Sequence, residues 1–101
     1  MAKKKIADLP TFDAAAHLDT PERQAAYIAA VLEEGDMAEI RHAIGTVARA
    51  RGMAEIAAAA NLNPKSIYRA LGNSGNPEFA TVFKVLSAMG YTLTIKQQDA
   101  A

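Results

Sequence analysis

The sequence contains no cysteine and no tryptophan, and its only aromatic residues are three tyrosines and three phenylalanines. The absence of cysteine excludes disulfides and thiolate metal sites, and it agrees with a reducing cytoplasm. No run approaches the roughly 18 apolar residues of a membrane span. The lysines at 3–5 are followed by IADLP, which is too short for the apolar region of a signal peptide. We therefore expect a cytoplasmic protein that spans no membrane.

A net charge is also absent, because 11 basic residues balance 11 acidic residues. Neutrality argues weakly against nucleic acid as a partner, since phosphate binding is largely electrostatic. The charges are unevenly distributed, however. Residues 7–39 contain eight acids and one base, a net charge of −7, whereas residues 40–69 contain five bases and one acid, a net charge of +4. This pattern indicates two faces that bind different partners.

Catalytic motifs are missing as well. His17 and His42 stand alone, and the sequence has no Ser/His/acid grouping and no phosphate-binding loop. Glu33 and Glu34 are consecutive on a predicted helix, so they cannot face one site. We predict that the protein is not an enzyme and that it uses no cofactor and no metal.

Helix-start and helix-stop signals divide the first half of the chain. A chain of 101 residues forms one domain with a modest core, and its abundant alanine favours helices. Thr20, Pro21 and Glu22 start a helix that Gly35 ends. Asp36 caps the next helix, which ends at 52.

Residues 51–77 contain the most informative pattern of the chain. It predicts two short helices over 53–60 and 64–71, joined by a turn in which Asn61 can adopt a left-handed conformation. Asn63 is the predicted N-cap of the second helix. The small Ala57 and the apolar Leu62 and Ile67 have the spacing of a helix-turn-helix, in which they hold the second helix against the first.

The outer face of this second helix decides between two interpretations. A small αα-hairpin in a helical bundle would explain the apolar spacing equally well. A solvated helix face usually mixes Glu and Lys, however, whereas this face carries Lys65, Ser66, Tyr68 and Arg69 with no acid. We therefore favour a helix that reads DNA in the major groove.

The C-terminal part predicts one more helix and a strand. Asn76, Pro77 and Glu78 repeat the cap-and-proline start of a helix that ends at 90. Its apolar residues form the largest apolar group in the chain and should occupy the centre of the core: Phe79, Val82, Phe83, Val85, Leu86 and Met89. Residues 91–96 (YTLTIK) alternate as a β-strand does, and such a strand needs a copy of itself or a partner's strand to pair with.

Four segments resemble a known family in their order and spacing: LEEGD (32–36), ARARGM (48–53), SIYRAL (66–71) and GNPEF (75–79). Over residues 12–96 the chain is similar to the addiction-module antidote proteins of bacterial toxin–antitoxin operons, which belong to the phage-repressor-like helix-turn-helix regulators. It departs from the usual pattern at Asn61, where the family has Gly, and at Ala70, where the wider class has a bulky apolar residue. Leu71 can fill the space beside Ala70.

The resemblance implies a dimeric DNA-binding antitoxin. Such a protein neutralises a small ribonuclease-like or gyrase-directed toxin of the same operon and represses the operon's promoter. It also implies which positions face double-stranded operator DNA: Asn63, Lys65, Ser66, Tyr68 and Arg69, with Asn73 in the following loop. Arg49 and Arg51, near the turn, are candidates for phosphate contacts, although Arg49 can equally pair with an acid, and Tyr68 can equally pack on a neighbouring helix.

The sequence thus predicts an all-α fold of about five helices, a lambda-repressor-like helix-turn-helix bundle with a short C-terminal β-strand. Its predicted parts are a flexible N-terminal tail (1–11), a helical segment that is the candidate toxin-binding region (12–36), the DNA-binding domain (37–90), the strand (91–96) and a tail (97–101). The predicted homodimer forms through the strand or the last helix. The alternative function is a helix-turn-helix repressor with no toxin partner.

Overall fold

The structure is a computed structural model that describes residues 18–72 and 74–99. Its regular structure consists of five α-helices: α1 (Pro21–Glu34), α2 (Met37–Arg51), α3 (Met53–Ala60), α4 (Pro64–Ala70) and α5 (Phe79–Ala88). For these residues, the prediction of an all-helical fold with about five helices is confirmed. Within the same ranges, no helix has the length and hydropathy that crossing a membrane requires. The predicted tail over 1–11, the start of the 12–36 segment and Asn73 lie outside the described residues.

Side-chain caps fix the starts of α1, α2 and α4 where the sequence predicts them. The hydroxyl of Thr20 accepts a hydrogen bond from the Arg23 amide at 3.1 Å, and a carboxylate oxygen of Asp36 accepts one from the Glu39 amide at 3.0 Å. The side-chain oxygen of Asn63 accepts one from the Lys65 amide at 2.8 Å. Each cap satisfies an amide that has no partner within the helix, a contribution of about 1 kcal/mol.

The core forms around α3, which packs against α2, α4 and α5. Its Ile56 and Ala57 are buried, as is Ile67 on α4, which is fully shielded from solvent. The other large buried side chains come mainly from α2 and α5: Ile44, Val47, Val85, Leu86 and Met89. Burying a side chain of this size contributes about 1.5–3 kcal/mol. α1 packs on α2 and contributes Ile28 and Val31.

α5 differs from the prediction in where it begins. It starts at Phe79, with Glu78 as its N-cap and no side-chain cap hydrogen bond. Asn76 and Pro77, which were expected to cap and open the helix, instead line a groove beside it. The cap-and-proline signal therefore lies just before the N-cap that the structure uses, Glu78.

α5 also buries only one of its two apolar faces. Val85, Leu86 and Met89 point into the core, whereas Phe79 is 72% exposed and Phe83 is 47% exposed. Residues four apart lie on the same side of a helix, so the two phenylalanines share one outward face. The prediction that both occupy the centre of the core is wrong.

The predicted C-terminal β-strand over 91–96 is not seen, and residues 91–99 have no regular secondary structure. A strand needs a partner for its backbone groups, and the described part of this chain offers none. Residues 92–96 make no backbone–backbone hydrogen bond with any described residue, whereas the Tyr91 amide bonds the Leu86 carbonyl at 3.0 Å. The hydrogen bond of Tyr91 therefore closes the turn after α5, and the residues that follow do not pair with another strand of the described chain.

Candidate nucleic-acid interface

A tight three-residue turn sets the angle between α3 and α4. Asn61 has the left-handed conformation that the sequence allows, with φ of 57° and ψ of 45°. The amide of Leu62 donates to the Ala57 carbonyl at 2.9 Å. Ala57 and Ile67 are buried and Leu62 packs against the core. The three residues of the predicted spacing therefore meet at the junction of the two helices and hold α4 with its other face outward.

The outward face of α4 carries the residues that the sequence predicts. Lys65, Ser66, Tyr68 and Arg69 are all exposed, and Tyr68 is 52% exposed, so it is not packed into a neighbouring helix. Asn63, at the start of the helix, is exposed as well, and its side-chain oxygen is used as the cap. The face therefore presents two cations and several hydrogen-bonding groups within one helix of seven residues.

The positive charges of this face are not neutralised inside the described residues. α4 has no acidic residue, and the ion pairs of the described ranges, Arg23 with Asp19 and Lys96 with Glu33, involve neither Lys65 nor Arg69. Both cations are therefore available to an external anion.

The two arginines at the end of α2 have different surroundings. Arg49 is exposed, and its guanidinium donates to the hydroxyl of Thr46 at 3.3 Å. Arg51 is half-buried, and its Nη1 lies 3.3 Å from both the Gln24 side-chain oxygen and the Tyr91 hydroxyl. Its guanidinium carbon also lies 5.6 Å from the centre of the Tyr91 ring. Arg51 thus ties α2 to α1 and to the C-terminal segment.

The Arg51 cluster continues to the start of α1. The Tyr91 hydroxyl donates to the Pro21 carbonyl at 3.2 Å, and the buried side-chain amide of Gln24 donates to the Leu18 carbonyl at 3.0 Å. A buried amide requires such partners, because an unpaired one costs about 1–3 kcal/mol. The cluster satisfies Gln24 through both ends of its amide.

The loop after α4 is held by contacts that the sequence interpretation missed. Arg41 of α2 donates from Nε to the Gly72 carbonyl at 3.3 Å, and the Gly75 amide donates to the same carbonyl at 3.0 Å. A Cβ on Gly75 would lie 2.2 Å from the carbonyl oxygen of Ala70. Only glycine therefore fits at this position. The hydrogen bond between Arg41 and Gly72 joins residues 31 positions apart in the chain, and no local sequence pattern indicates it.

Within 18–72 and 74–99, no group of three or more His, Asp or Glu side chains is arranged to hold a metal ion. Among the described residues, the clearest perturbation of a titratable group is at Tyr27, where burial, and secondly the charge of Glu39, raises the pKa of the phenol. Tyr27 lies on α1, which does not contribute to the exposed face of α4.

Comparisons with known proteins find a matching family and a similar protein. A family model described as "Probable addiction module antidote protein" matches residues 8–97. An uncharacterized protein of Haemophilus influenzae is 39% identical to this chain over 93 residues, which cover 92% of this chain and 96% of that protein. No solved structure matches the chain. The family match includes every residue of the α3–α4 unit.

Proposed function

We propose, since this chain belongs to the family of probable addiction module antidote proteins, that it is the antitoxin of a type II toxin–antitoxin module. In this proposal it binds a small toxin of the same operon. It also represses that operon by sequence-specific binding of double-stranded DNA through α3 and α4, which act as a helix-turn-helix. It acts in the cytoplasm and without catalysis.

The exposed face of α4 is the observation that carries the DNA-binding part. Arg69 and Lys65 are free of ion pairs with the described acids and suit the O6 and N7 atoms of guanine or a phosphate oxygen. Ser66 can bond a base edge or a phosphate. Tyr68 can bond a phosphate through its hydroxyl or contact a thymine methyl through its ring. Asn63 and Asn73 are the remaining residues that we propose to contact DNA.

Phosphate contacts would flank this face. Arg49 is exposed at the end of α2 and makes only a hydrogen bond to Thr46 among the described residues, so we propose it as a phosphate contact. Arg51 is the second candidate. Because one of its amino groups already bonds Gln24 and Tyr91, a loss of DNA affinity on its replacement has to be separated from a loss of stability.

Operator recognition by this arrangement requires two copies of α4. A homodimer places two recognition helices about 34 Å apart, one turn of DNA, and therefore binds a palindromic operator. One α4 offers few side chains to base edges, so a second half-site supplies the remaining affinity and specificity.

The acidic N-terminal third supports a basic toxin as the partner. Glu22 and Asp36 are exposed at the two ends of α1, and Glu33 lies between them on the surface. Opposite charge on a partner favours encounter and orientation. We propose that α1 and the residues before it, within the 12–36 segment, contact the toxin.

A second candidate function is a helix-turn-helix repressor with no toxin partner. Ile28 and Val31 of α1 are buried in the bundle, so α1 has a structural role whether or not it binds a toxin. In this candidate the acids of α1 are only a solvated face.

The DNA-binding part is tested by titrating the full chain into a labelled duplex from upstream of its own gene, in parallel with an unrelated duplex. We expect tighter binding to the upstream duplex and a decrease in affinity as salt rises, because phosphate contacts release counterions. Equal binding to both duplexes would contradict operator recognition, and no binding to either would contradict the use of α4 as a DNA-reading helix.

A further inference from the structure

Arg41 of α2 reaches the loop that follows α4. Its side chain is half-buried, and its Nε donates to the Gly72 carbonyl at 3.3 Å. The same carbonyl accepts the Gly75 amide at 3.0 Å, and the Gly72 amide donates to the Arg69 carbonyl at 3.4 Å. Gly72 is therefore held through both of its backbone groups, to the last turn of α4 through one and to α2 through the other.

α2 approaches the end of α4 at a second point, one helical turn further along. Arg41 and Gly45 are four residues apart and lie on the same side of α2. A Cβ on Gly45 would lie 3.7 Å from the Cβ of Leu71, which is buried directly after α4. The same side of α2 therefore contacts the end of α4 and the start of the loop.

A cation suits this location for electrostatic reasons. The last carbonyls of a helix have no amide partner within it and carry a partial negative charge. The loop passes so close to them that a Cβ on Gly75 would lie 2.7 Å from the Arg69 carbonyl oxygen. A guanidinium that bonds Gly72 is therefore near the negative end of α4, and this attraction adds to the hydrogen bond.

α4 is short, so the direction of its axis depends on how both ends are held. It has seven residues, about two turns. The cap at Asn63 and the turn at Asn61 fix its start, whereas Arg69, which we propose reads a base, lies in its last turn. Contacts to base edges require placement to within about 0.5 Å. The end of α4 must therefore be held as firmly as its start.

We propose that Arg41 is a positioning residue for DNA reading. It contacts no base itself and sets the sequence preference of the protein by holding the end of α4 and the loop after it. It acts through Arg69, whose backbone is bonded to the residue that Arg41 anchors. Arg41 is not among the positions that the family resemblance implies as DNA contacts. This inference rests on the proposed function, because it concerns the same face of α4.

A direct phosphate contact is the competing role for this arginine. Phosphate contacts carry no sequence information, so their loss weakens binding to all duplexes. The loss of one such contact also reduces the slope of log affinity against log salt by about 1. The loss of a positioning residue instead weakens binding to the preferred sequence and leaves the slope unchanged.

The test measures fluorescence anisotropy of the full chain with the duplex from upstream of its gene and with an unrelated duplex, over a range of salt. R41M removes the donor and the charge, and methionine suits the groove beside this position, where Met37 and Ile40 are neighbours. We expect R41M to bind the upstream duplex about tenfold more weakly, with unchanged binding to the unrelated duplex and an unchanged slope.

Three further variants make this measurement specific. R23M is the matched control, because it removes the same charge from an exposed position on α1, and it should bind both duplexes as the wild type does. R41K keeps a cation and a donor and should recover part of the lost affinity. R41Q carries the same prediction as R41M and tests the inference if circular dichroism shows R41M to be unfolded.

A double-mutant cycle tests whether Arg41 acts through Arg69. If it does, R41M should weaken binding to the upstream duplex by less than about twofold in an R69A background, because the side chain that Arg41 positions is already absent. Full additivity of R41M and R69A would overturn the inference.

Hydrogen exchange of the free protein reports the anchor without DNA. The Gly75 amide, which bonds the same carbonyl as Arg41, should exchange several times faster in R41M than in the wild type. The Leu62 amide, in the turn before α4, is the internal control and should exchange at an unchanged rate. Equal rates for Gly75 in the two proteins would overturn the anchoring role.

The outcomes separate this inference from the proposed function. If R41M binds both duplexes more weakly with a smaller slope, Arg41 is a phosphate contact and the inference is overturned. If R41M keeps the wild-type preference for the upstream duplex, the inference is overturned even where the Gly75 amide exchanges faster. In both cases the wild type still prefers the upstream duplex, and the proposed function stands. A wild type without that preference contradicts the proposed function itself.

Discussion

The Nη1 atom of Arg51 lies 3.3 Å from the hydroxyl of Tyr91, and the guanidinium carbon lies 5.6 Å from the centre of the same ring. These two residues are 40 positions apart in the chain. Their contact, with the bond from Arg51 to Gln24, joins the end of α2 to the start of α1 and to the segment after α5. Arg51, which the sequence suggests as a phosphate contact, is therefore expected to stabilise the fold.

Replacing Arg51 with alanine should lower the free energy of unfolding by about 1–2 kcal/mol, because two hydrogen bonds and a cation–π contact are lost. Urea unfolding followed by circular dichroism measures this change. R23A is the matched control, because Arg23 makes only an exposed pair with Asp19, and such pairs contribute about 0–1 kcal/mol. Equal stability of R51A and the wild type would show that the cluster does not hold the fold.

Replacing Arg69 with alanine should weaken operator binding by about 1–3 kcal/mol and relax sequence preference at one base pair, if the guanidinium bonds a guanine. Fluorescence anisotropy with the operator and with single-base variants of it measures both effects. R23A changes the net charge equally and serves again as the control. A loss that is the same for all duplexes would instead make Arg69 a phosphate contact and contradict its role in base reading.

Gly75 and Gly45 should respond oppositely to alanine. A Cβ on Gly75 would lie 2.2 Å from the Ala70 carbonyl oxygen, so the loop after α4 must shift, and such overpacking costs about 1–3 kcal/mol. A Cβ on Gly45 would meet the movable end of Arg49 at 3.3 Å and Leu71 at 3.7 Å. Alanine there should be neutral or stabilising by up to about 1 kcal/mol, because it favours the helix.

Thermal and urea unfolding of G75A and G45A measure this contrast. If G75A unfolds as the wild type does, the loop accommodates a side chain, and the tight fit after α4 is not a constraint. If G45A is strongly destabilised, α2 and Leu71 approach each other more closely than the structure indicates.

High pH should destabilise the protein partly through Tyr27. Burial, and secondly the charge of Glu39, raises the pKa of this phenol above its ordinary value of about 10. Because the pKa of Tyr27 is higher in the folded state, the stability that this residue contributes is fully present below about pH 10. That stability is lost as the pH rises through the folded-state pKa. The stability of Y27F, measured by urea unfolding between neutral and strongly alkaline pH, should therefore fall less steeply. Parallel curves for Y27F and the wild type would contradict this assignment.

Local signals account for the parts of the fold that could be predicted. The caps at Thr20, Asp36 and Asn63 and the left-handed Asn61 depend on neighbours within a few residues, and the structure has all four. The spacing of Ala57 and Ile67 likewise specifies which side of α4 faces the core. The opposite side of α4 is the exposed one, so the sequence also predicts where its polar residues lie.

Contacts between distant residues account for the rest. Alternation over 91–96 indicates a strand, but the described part of the chain supplies no partner for it. An apolar helix does not by itself show which of two apolar faces is buried, so the exposure of Phe79 and Phe83 could not be predicted. The pairing of Arg41 with Gly72 and of Arg51 with Tyr91 depends on how helices separated in sequence come together.

Co-expression with the neighbouring gene, followed by purification through a tag on that second protein, tests the central claim most directly. The account predicts that the two proteins elute as one stable complex and that this complex shifts the promoter DNA of the operon. A promoter shift without a complex would leave a repressor with no toxin partner. The absence of both a complex and a promoter shift would contradict the account.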